Sequence, residues 1–139
     1  MSTTRIAIRG YHEDRFGHVN NARYFEFFEE ARWAQFDAHG LDRVFFAERR
    51  IFPVVVRQTI TYRRPATAGD VLQIESRIAH VGRRKVVIAQ EARFEESDDV
   101  CVEAEVTAVF LDESTGRPVP LENAVADVWP ELSPSESKA

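Results

Sequence analysis

Tyr11-His12-Glu13-Asp14-Arg15-Phe16-Gly17-His18-Val19-Asn20-Asn21-Ala22-Arg23-Tyr24 sets an acid, a histidine, a glycine and two asparagines directly ahead of a strongly patterned helix. The first turn of a helix carries backbone N–H groups without intrahelical partners and a partial positive charge. It can therefore hold negative charge that develops on a substrate oxygen. Asp14, seven residues before Asn21, can face the same spot. That combination suits acyl-group chemistry. The competing reading of Asp14 is a loop acid that only complements the helix terminus.

Outward from this stretch, residues 21–39 read as one long helix with Gly40 as its stop. Tyr24, Phe25, Phe27, Phe28, Trp33 and Phe36 spread aromatic rings around much of the cylinder, so the helix is embraced on several sides. Upstream, residues 5–9 alternate as a first strand. Downstream, residues 41–48 suggest a short second helix or turn, and Pro53 marks the start of the next element. From there the period changes. Residues 54–64, 71–81, 85–95 and 100–111 are four strand candidates rich in β-branched residues, separated by turn chemistry at 65–70, at Gly82 and at 96–99. Short consecutive connections predict antiparallel hairpins. On the last strand Val100, Val102, Ala104, Val106, Ala108 and Phe110 share one face, with Glu103 and Glu105 on the other, so one side of the sheet is buried. Residues 121–129 form a closing segment. A single domain is thus expected over 1–129, with 130–139 as a frayed tail. The order predicts an α+β fold: an antiparallel sheet of about five strands around one long helix. Such a sheet leaves edges and apolar surface uncovered, which predicts pairing into a homo-oligomer.

The bulk properties narrow the class. The 139 residues suffice to bury a core, and no apolar run approaches the roughly 20 residues that a membrane span requires. The N-terminal residues carry no apolar signal-peptide core. Cys101 is the only cysteine; an internal disulfide is excluded, a cytoplasmic setting is expected, and a strand position makes it a buried, inert thiol. A net charge of −5 argues against broad nucleic-acid binding. Of 18 basic residues only Lys85 and Lys138 are lysines, and arginines cluster at 49–50, 63–64 and 83–84. Guanidinium groups match phosphate oxygens bidentately, so a phosphorylated small ligand fits; solvated strand ends are the alternative.

The residues Asp14-Arg15-Phe16-Gly17-His18-Val19-Asn20-Asn21-Ala22-Arg23-Tyr24, with Phe28-Glu29 and Ala31-Arg32 further along the helix, resemble the hotdog-fold thioesterases, in particular the 4-hydroxybenzoyl-CoA-thioesterase-like branch. Tyr62-Arg63-Arg64-Pro65-Ala66 with Gly69-Asp70, and Gly82-Arg83, match later turns of the same pattern. The resemblance runs from about Ile6 to Leu111. It implies a hotdog fold, a homodimer or homotetramer with sites at the subunit interface, and hydrolysis of an acyl-CoA or acyl-carrier-protein thioester without metal or organic cofactor. Two departures stand out. Arg84 occupies a position where many relatives carry serine or threonine, and Phe16 replaces the asparagine of the Asp-x-Asn-x-His pattern of carrier-protein thioesterases. The second favours coenzyme A over the carrier protein.

Within that frame Asp14 is the expected general base or nucleophile, and the amides near Asn21 and Ala22 the expected oxyanion hole. His18 either polarises the carbonyl and positions water or fixes the loop. Gly17 supplies a backbone conformation or close approach that a side chain would block. Asn20 and Asn21 cap the helix. Tyr24 and Phe28 are candidates to line the acyl pocket, with core packing the default for aromatics on this helix, and Glu29 is a second acid–base candidate. Arg63, Arg83, Arg84 and Lys85 are candidates for the coenzyme A phosphates. His12, Glu13 and Asp14 are adjacent, yet adjacency does not turn three ligands to one face, so no metal site is expected. A hotdog dehydratase or hydratase, and a non-catalytic acyl-thioester-binding protein, are the alternative functions.

Overall fold

Helix α1 (Asn21–Ala38) begins where Asn20 stops the chain. The Asn20 side-chain Oδ1 accepts the Ala22 N–H at 2.9 Å, and its carbonyl accepts the Arg23 N–H at 2.8 Å. At the other end the Gly40 N–H donates to Asp37 O and the Leu41 N–H to Phe36 O, both at 3.0 Å. Gly40 closes this pattern at φ +78°, a conformation glycine adopts without steric cost. The short helix α2 (Arg43–Arg49) is capped by Asp42, whose side chain accepts the Phe45 N–H at 2.9 Å. The structure, a computed structural model, describes residues 1–134.

Five strands follow the predicted order: β1 (Ser2–Ala7), β2 (Ile51–Tyr62), β3 (Val71–Val81), β4 (Lys85–Phe94) and β5 (Val100–Asp112). They form one sheet in the spatial order β1-β3-β4-β5-β2. Three expectations are corrected. First, β1 starts earlier than the alternation at 5–9 suggests, because the edge of β3 gives polar Ser2 to Thr4 ladder partners, with Ser2 opposite Ser76 and Ile6 opposite Leu72. Second, Pro53 lies inside β2. An edge strand has one side of its ladder open, so a missing N–H is tolerated there. Third, β2 and β3 do not form a hairpin. β2 neighbours β5 and β3 neighbours β1. The backbone of the 63–70 link is instead spent on other partners: Gly69 N–H donates to Ile8 O, and Ala66 O and Asp70 O accept from Val19 and Ile8.

The chain divides into two compact units. The first comprises residues 1–35, 59–77 and 90–104. Its core sets Tyr24, Phe27, Phe28 and Ala31 of α1 against Leu72, Ile74, Ala92, Phe94 and Val102 of the sheet. A buried polar seam runs through it. Arg32 Nη1 donates to Gln90 Oε1 at 3.0 Å, while Gln90 Nε2 donates to Phe28 O at 2.9 Å and to Ser76 Oγ at 3.0 Å. Burial pulls Arg32 below its ordinary value, opposed by the charge of Glu29. Glu29 itself is exposed and forms no ion pair with Arg32 among the described residues.

The second unit comprises residues 36–58, 78–89 and 105 onward. Phe36 meets Phe46, Phe110 and Trp129 edge-on or tilted, with ring centroids 5.8–6.4 Å apart. Helix α3 (Leu121–Ala124) and a 3₁₀ turn (Pro130–Leu132) close this core, and Leu132 is only 1% exposed. Arg49 holds the closing segment through Asp127 Oδ2 at 2.6 Å and Ala124 O at 2.9 Å. Residues 130–132 are therefore packed and not a frayed tail, because Leu132 has apolar surface to bury; residues 135–139 lie outside the described residues.

Gln90→Ala is expected to destabilise the protein by about 3 kcal/mol, because it strands the buried Arg32 guanidinium. Urea unfolding of the variant beside wild type measures it.

Candidate functional site

The Asp14 loop is a closed ring of backbone contacts. Glu13 and Val19 pair as an isolated antiparallel bridge. Asp14 N–H donates to His18 O at 2.8 Å, and Gly17 N–H donates to Asp14 O at 3.1 Å. Gly17 makes the reversal at φ +79°, which strains any residue with a Cβ. Inside the ring Asp14 Oδ1 accepts the Phe16 N–H at 2.8 Å. One carboxylate oxygen is thereby anchored and the other is left for the outside.

Three tethers fasten the ring to its surroundings. Val19 N–H donates to Ala66 O at 2.9 Å. Ala68 N–H donates to Glu13 Oε2 at 2.8 Å, so the acid preceding Asp14 holds the loop to the β2–β3 link. Asn20 N–H donates to His12 O at 2.9 Å. His12, Glu13 and Asp14 each engage one side-chain atom with a different backbone amide: His12 Nδ1 with Arg9, Glu13 Oε2 with Ala68, Asp14 Oδ1 with Phe16. Among the described residues no group of three His, Cys, Asp or Glu side chains is disposed to hold a metal ion.

Asp14, His18, Asn21, Tyr24 and Arg63 line one open cavity of about 480 Å³. Tyr62, Arg64 and Val102 complete its wall. Of these, Tyr62 and Arg64 lie in the second stretch of the family resemblance, while Val102 is indistinguishable in sequence from any other inward-facing strand residue. Phe16 stands at the mouth and is 79% exposed.

The first turn of α1 is only partly available to a ligand. The Ala22 amide, one of the two expected oxyanion donors, already donates to Asn20 Oδ1. This corrects the expectation, and the reason is that the capping asparagine reaches the second amide of the helix. The Asn21 N–H has no acceptor among the described residues. Tyr62 Oη donates to Asn21 O at 3.4 Å and steadies that residue from across the cavity.

The remaining wall is chemically quiet. Burial drives the Tyr24 hydroxyl far above its ordinary value, and its neighbour Cys101 adds to the shift, so Tyr24 is an apolar wall with a fixed hydroxyl. Its oxygen accepts the Ala66 N–H at 3.4 Å. Cys101 is fully buried, its Sγ–H donates to Arg64 O at 3.1 Å, and burial raises its thiol, as an inert thiol requires.

The arginines divide. Arg63 pairs with Glu103 through Nε–H at 2.8 Å, and Arg64 pairs with Asp99 at 2.8 Å while its guanidinium sits 4.3 Å from the Phe94 ring centre. Arg83 and Arg84 occupy the β3–β4 turn in the second unit, exposed and without ion pairs among the described residues, and do not line this cavity. Phe28, a candidate for the acyl pocket, is instead sealed in the core at 1% exposure, because its helix position turns it onto the sheet.

The sequence matches the thioesterase-like superfamily over residues 10–128, an interval that holds the whole cavity. The chain belongs to this family. It is 37% identical, over 89% of its length and 93% of the relative's, to the long-chain acyl-CoA thioesterase FadM of Escherichia coli (strain K12). It is 30% identical to the acyl-CoA thioester hydrolase YbgC of Escherichia coli O6:H1, with 90% of this chain and 96% of the relative covered. Among solved structures, the probable thioesterase YbaW of Escherichia coli superposes with a TM-score of 0.83 at 34% identity, covering 95% of this chain and 98% of that one. The five-stranded antiparallel sheet with its long helix is the hotdog fold of these thioesterases, as the sequence led us to expect.

Asn20→Ala is expected to cost about 1 kcal/mol of stability through loss of the cap. Thermal unfolding measures this, and a melting temperature equal to wild type's contradicts the role given to Asn20.

Proposed function

We propose that the protein is an acyl-CoA thioesterase in which Asp14 acts at the thioester carbonyl and the Asn21 N–H receives the oxyanion. The observation that carries this reading is the shared cavity: Asp14, with one carboxylate oxygen anchored on Phe16 N–H, and Asn21, whose N–H has no acceptor among the described residues, line the same space. The names of FadM and YbgC, both acting on acyl-CoA thioesters, supply the substrate class.

In the reaction a water oxygen adds to the carbonyl carbon while Asp14 takes its proton. The carbonyl oxygen becomes an oxyanion at the helix terminus. The carbon–sulfur bond then breaks, and the proton held by Asp14 passes to the departing thiolate, giving a free acid and a thiol. Direct attack by the Asp14 carboxylate, followed by hydrolysis of the resulting anhydride, gives the same products through the same two groups. His18 lines the cavity with an imidazole that makes no hydrogen bond among the described residues, so it is available to the water or the carbonyl. Tyr24 walls the acyl side. Gly17 shapes the loop. Arg63, at the cavity, is the group we assign to the coenzyme A phosphates.

The working unit is a homodimer, or a homotetramer built from two. β2 is a twelve-residue edge strand with almost no burial, and it exposes Phe52, Val55 and Val56. An edge of that length and apolarity is suited to pairing with a second copy. The exposed Phe16 and Tyr62 at the cavity give a second copy apolar surface to cover there. The single buried cysteine accords with a reducing cytoplasm.

Asp14→Asn is expected to lower kcat on acyl-CoA by about 10² to 10⁴-fold with an unchanged melting temperature. Steady-state thiol release measures it, and undiminished turnover rejects the assignment. Val56→Lys is expected to shift the protein toward monomer in light scattering, and an unaltered mass argues against β2 pairing.

A further inference from the structure

We propose that His12, which the chemistry above leaves unused, is the positioning residue that locks the Asp14 loop between the end of β1 and the cap of α1. It does so through a neutral imidazole whose Nδ1 accepts the Arg9 N–H. The inference rests on the reading of Asp14 as the reacting group.

His12 makes contacts in both directions along the chain. Its ring Nδ1 accepts the Arg9 N–H at 2.9 Å, and its own N–H donates to Arg9 O at 3.0 Å. Its carbonyl accepts the Asn20 N–H at 2.9 Å. Asn20 in turn caps α1 through Ala22. One residue thus joins the two ends of the segment that carries Asp14. The ring is also wedged: its centroid lies 5.0 Å from that of Phe27 at 84° and 4.4 Å from that of Tyr11 at 60°. An acceptor at Nδ1 requires the tautomer with its proton on Nε2.

Protonation undoes this arrangement. A second proton at Nδ1 points a donor at the Arg9 N–H, and the hydrogen bond is lost. The charged groups around the ring are Arg9 before it and Arg23 and Glu26 on α1. Arg23 is itself bound to Glu26 at 3.0 Å and to Tyr11 O at 3.4 Å. Burial first, then Arg23, hold the imidazole below its ordinary value of 6.5, with Glu26 opposing. A folded-state value below the unfolded one means that the contribution of His12 to loop stability is complete above pH 6.5. It is lost as pH falls through the lowered value. The loop therefore releases Asp14 from its place beside the helix terminus as the imidazole takes up its second proton.

Turnover of a saturating acyl-CoA across pH 5–9, with ¹⁵N NMR of the imidazole, tests the proposal. His12→Ala is expected to lower kcat roughly 10- to 100-fold with little change in KM, since displacement of a reacting group acts on the chemical step. His12→Asn, whose Oδ1 can accept the Arg9 N–H without titrating, is expected to recover most of that loss and to abolish the acid limb that the wild type is expected to show below pH 6.5. The imidazole should show Nδ1 unprotonated at pH 8. Wild-type kcat and an unchanged acid limb in both variants, or a protonated Nδ1 at pH 8, overturn the proposal. If His12→Ala does not fold, His12→Asn and the NMR tautomer decide it alone. Loss of activity in Asp14→Asn with wild-type behaviour in both His12 variants refutes this inference and leaves the catalytic reading intact. An active Asp14→Asn refutes the catalytic reading, while the tautomer and the acid lability of the loop are still read by NMR.

Discussion

The attachment of Asn20 at the start of α1 is the constraint on which the site depends. A helix terminus has several amides to satisfy, and whichever one the cap leaves open faces outward with the terminal charge behind it. Here the cap takes Ala22 and the Asn20 carbonyl takes Arg23, while the Asn21 N–H has no acceptor among the described residues. The Asn20 N–H is meanwhile held by His12, which places the acid-bearing loop against that same terminus. Capping and site construction are one set of hydrogen bonds. The helix does not merely support the cavity; its N-terminus is part of the cavity wall.

The crossing of the β2–β3 link has an equally local consequence. A hairpin would have used the backbone groups of residues 63–70 on each other. Because β2 neighbours β5 and β3 neighbours β1, those groups are free to bind the Asp14 loop through Val19 and Glu13, and the end of β1 through Ile8. The same topology leaves β2 at the sheet edge, with exposed valines that accord with a partner strand. Strand order thus bears both on how the Asp14 loop is anchored and on which surface is left for assembly.

Much of the site was legible because helix termini and their caps are local. Asn20, Asn21 and Gly40 announced where α1 begins and ends within one residue, and the Asp14-to-Tyr24 pattern named five residues of which Asp14, His18, Asn21 and Tyr24 do share the cavity. Phe28 stood between acyl pocket and core, and an aromatic at helical spacing shows which side of the helix it lies on only once the sheet is in place. Tyr62, at the end of β2, and Arg64, in the link after it, are distant in sequence from the Asp14 loop, and only the fold brings them to its wall. The tethers of Glu13 and His12 were invisible for the same reason. Each is a side chain bonded to a backbone amide, and any amide in the chain looks alike in sequence.

The amino-acid sequence alone determined the elements of this protein. Periodicity separated one long helix from the strands, turn residues divided those strands, and the motif ahead of the helix identified the acid and the terminus that belong together. These properties rest on contacts a few residues apart, which the sequence writes directly. Tertiary structure decided the rest: that β2 lies at the edge with Pro53 inside it, that Leu132 packs into a core, that the Ala22 amide is occupied while that of Asn21 is open, and that Arg63 and Arg64 already hold carboxylates. Each of these depends on which distant groups compete for the same donor, acceptor or apolar surface. That competition is resolved only when the chain is folded.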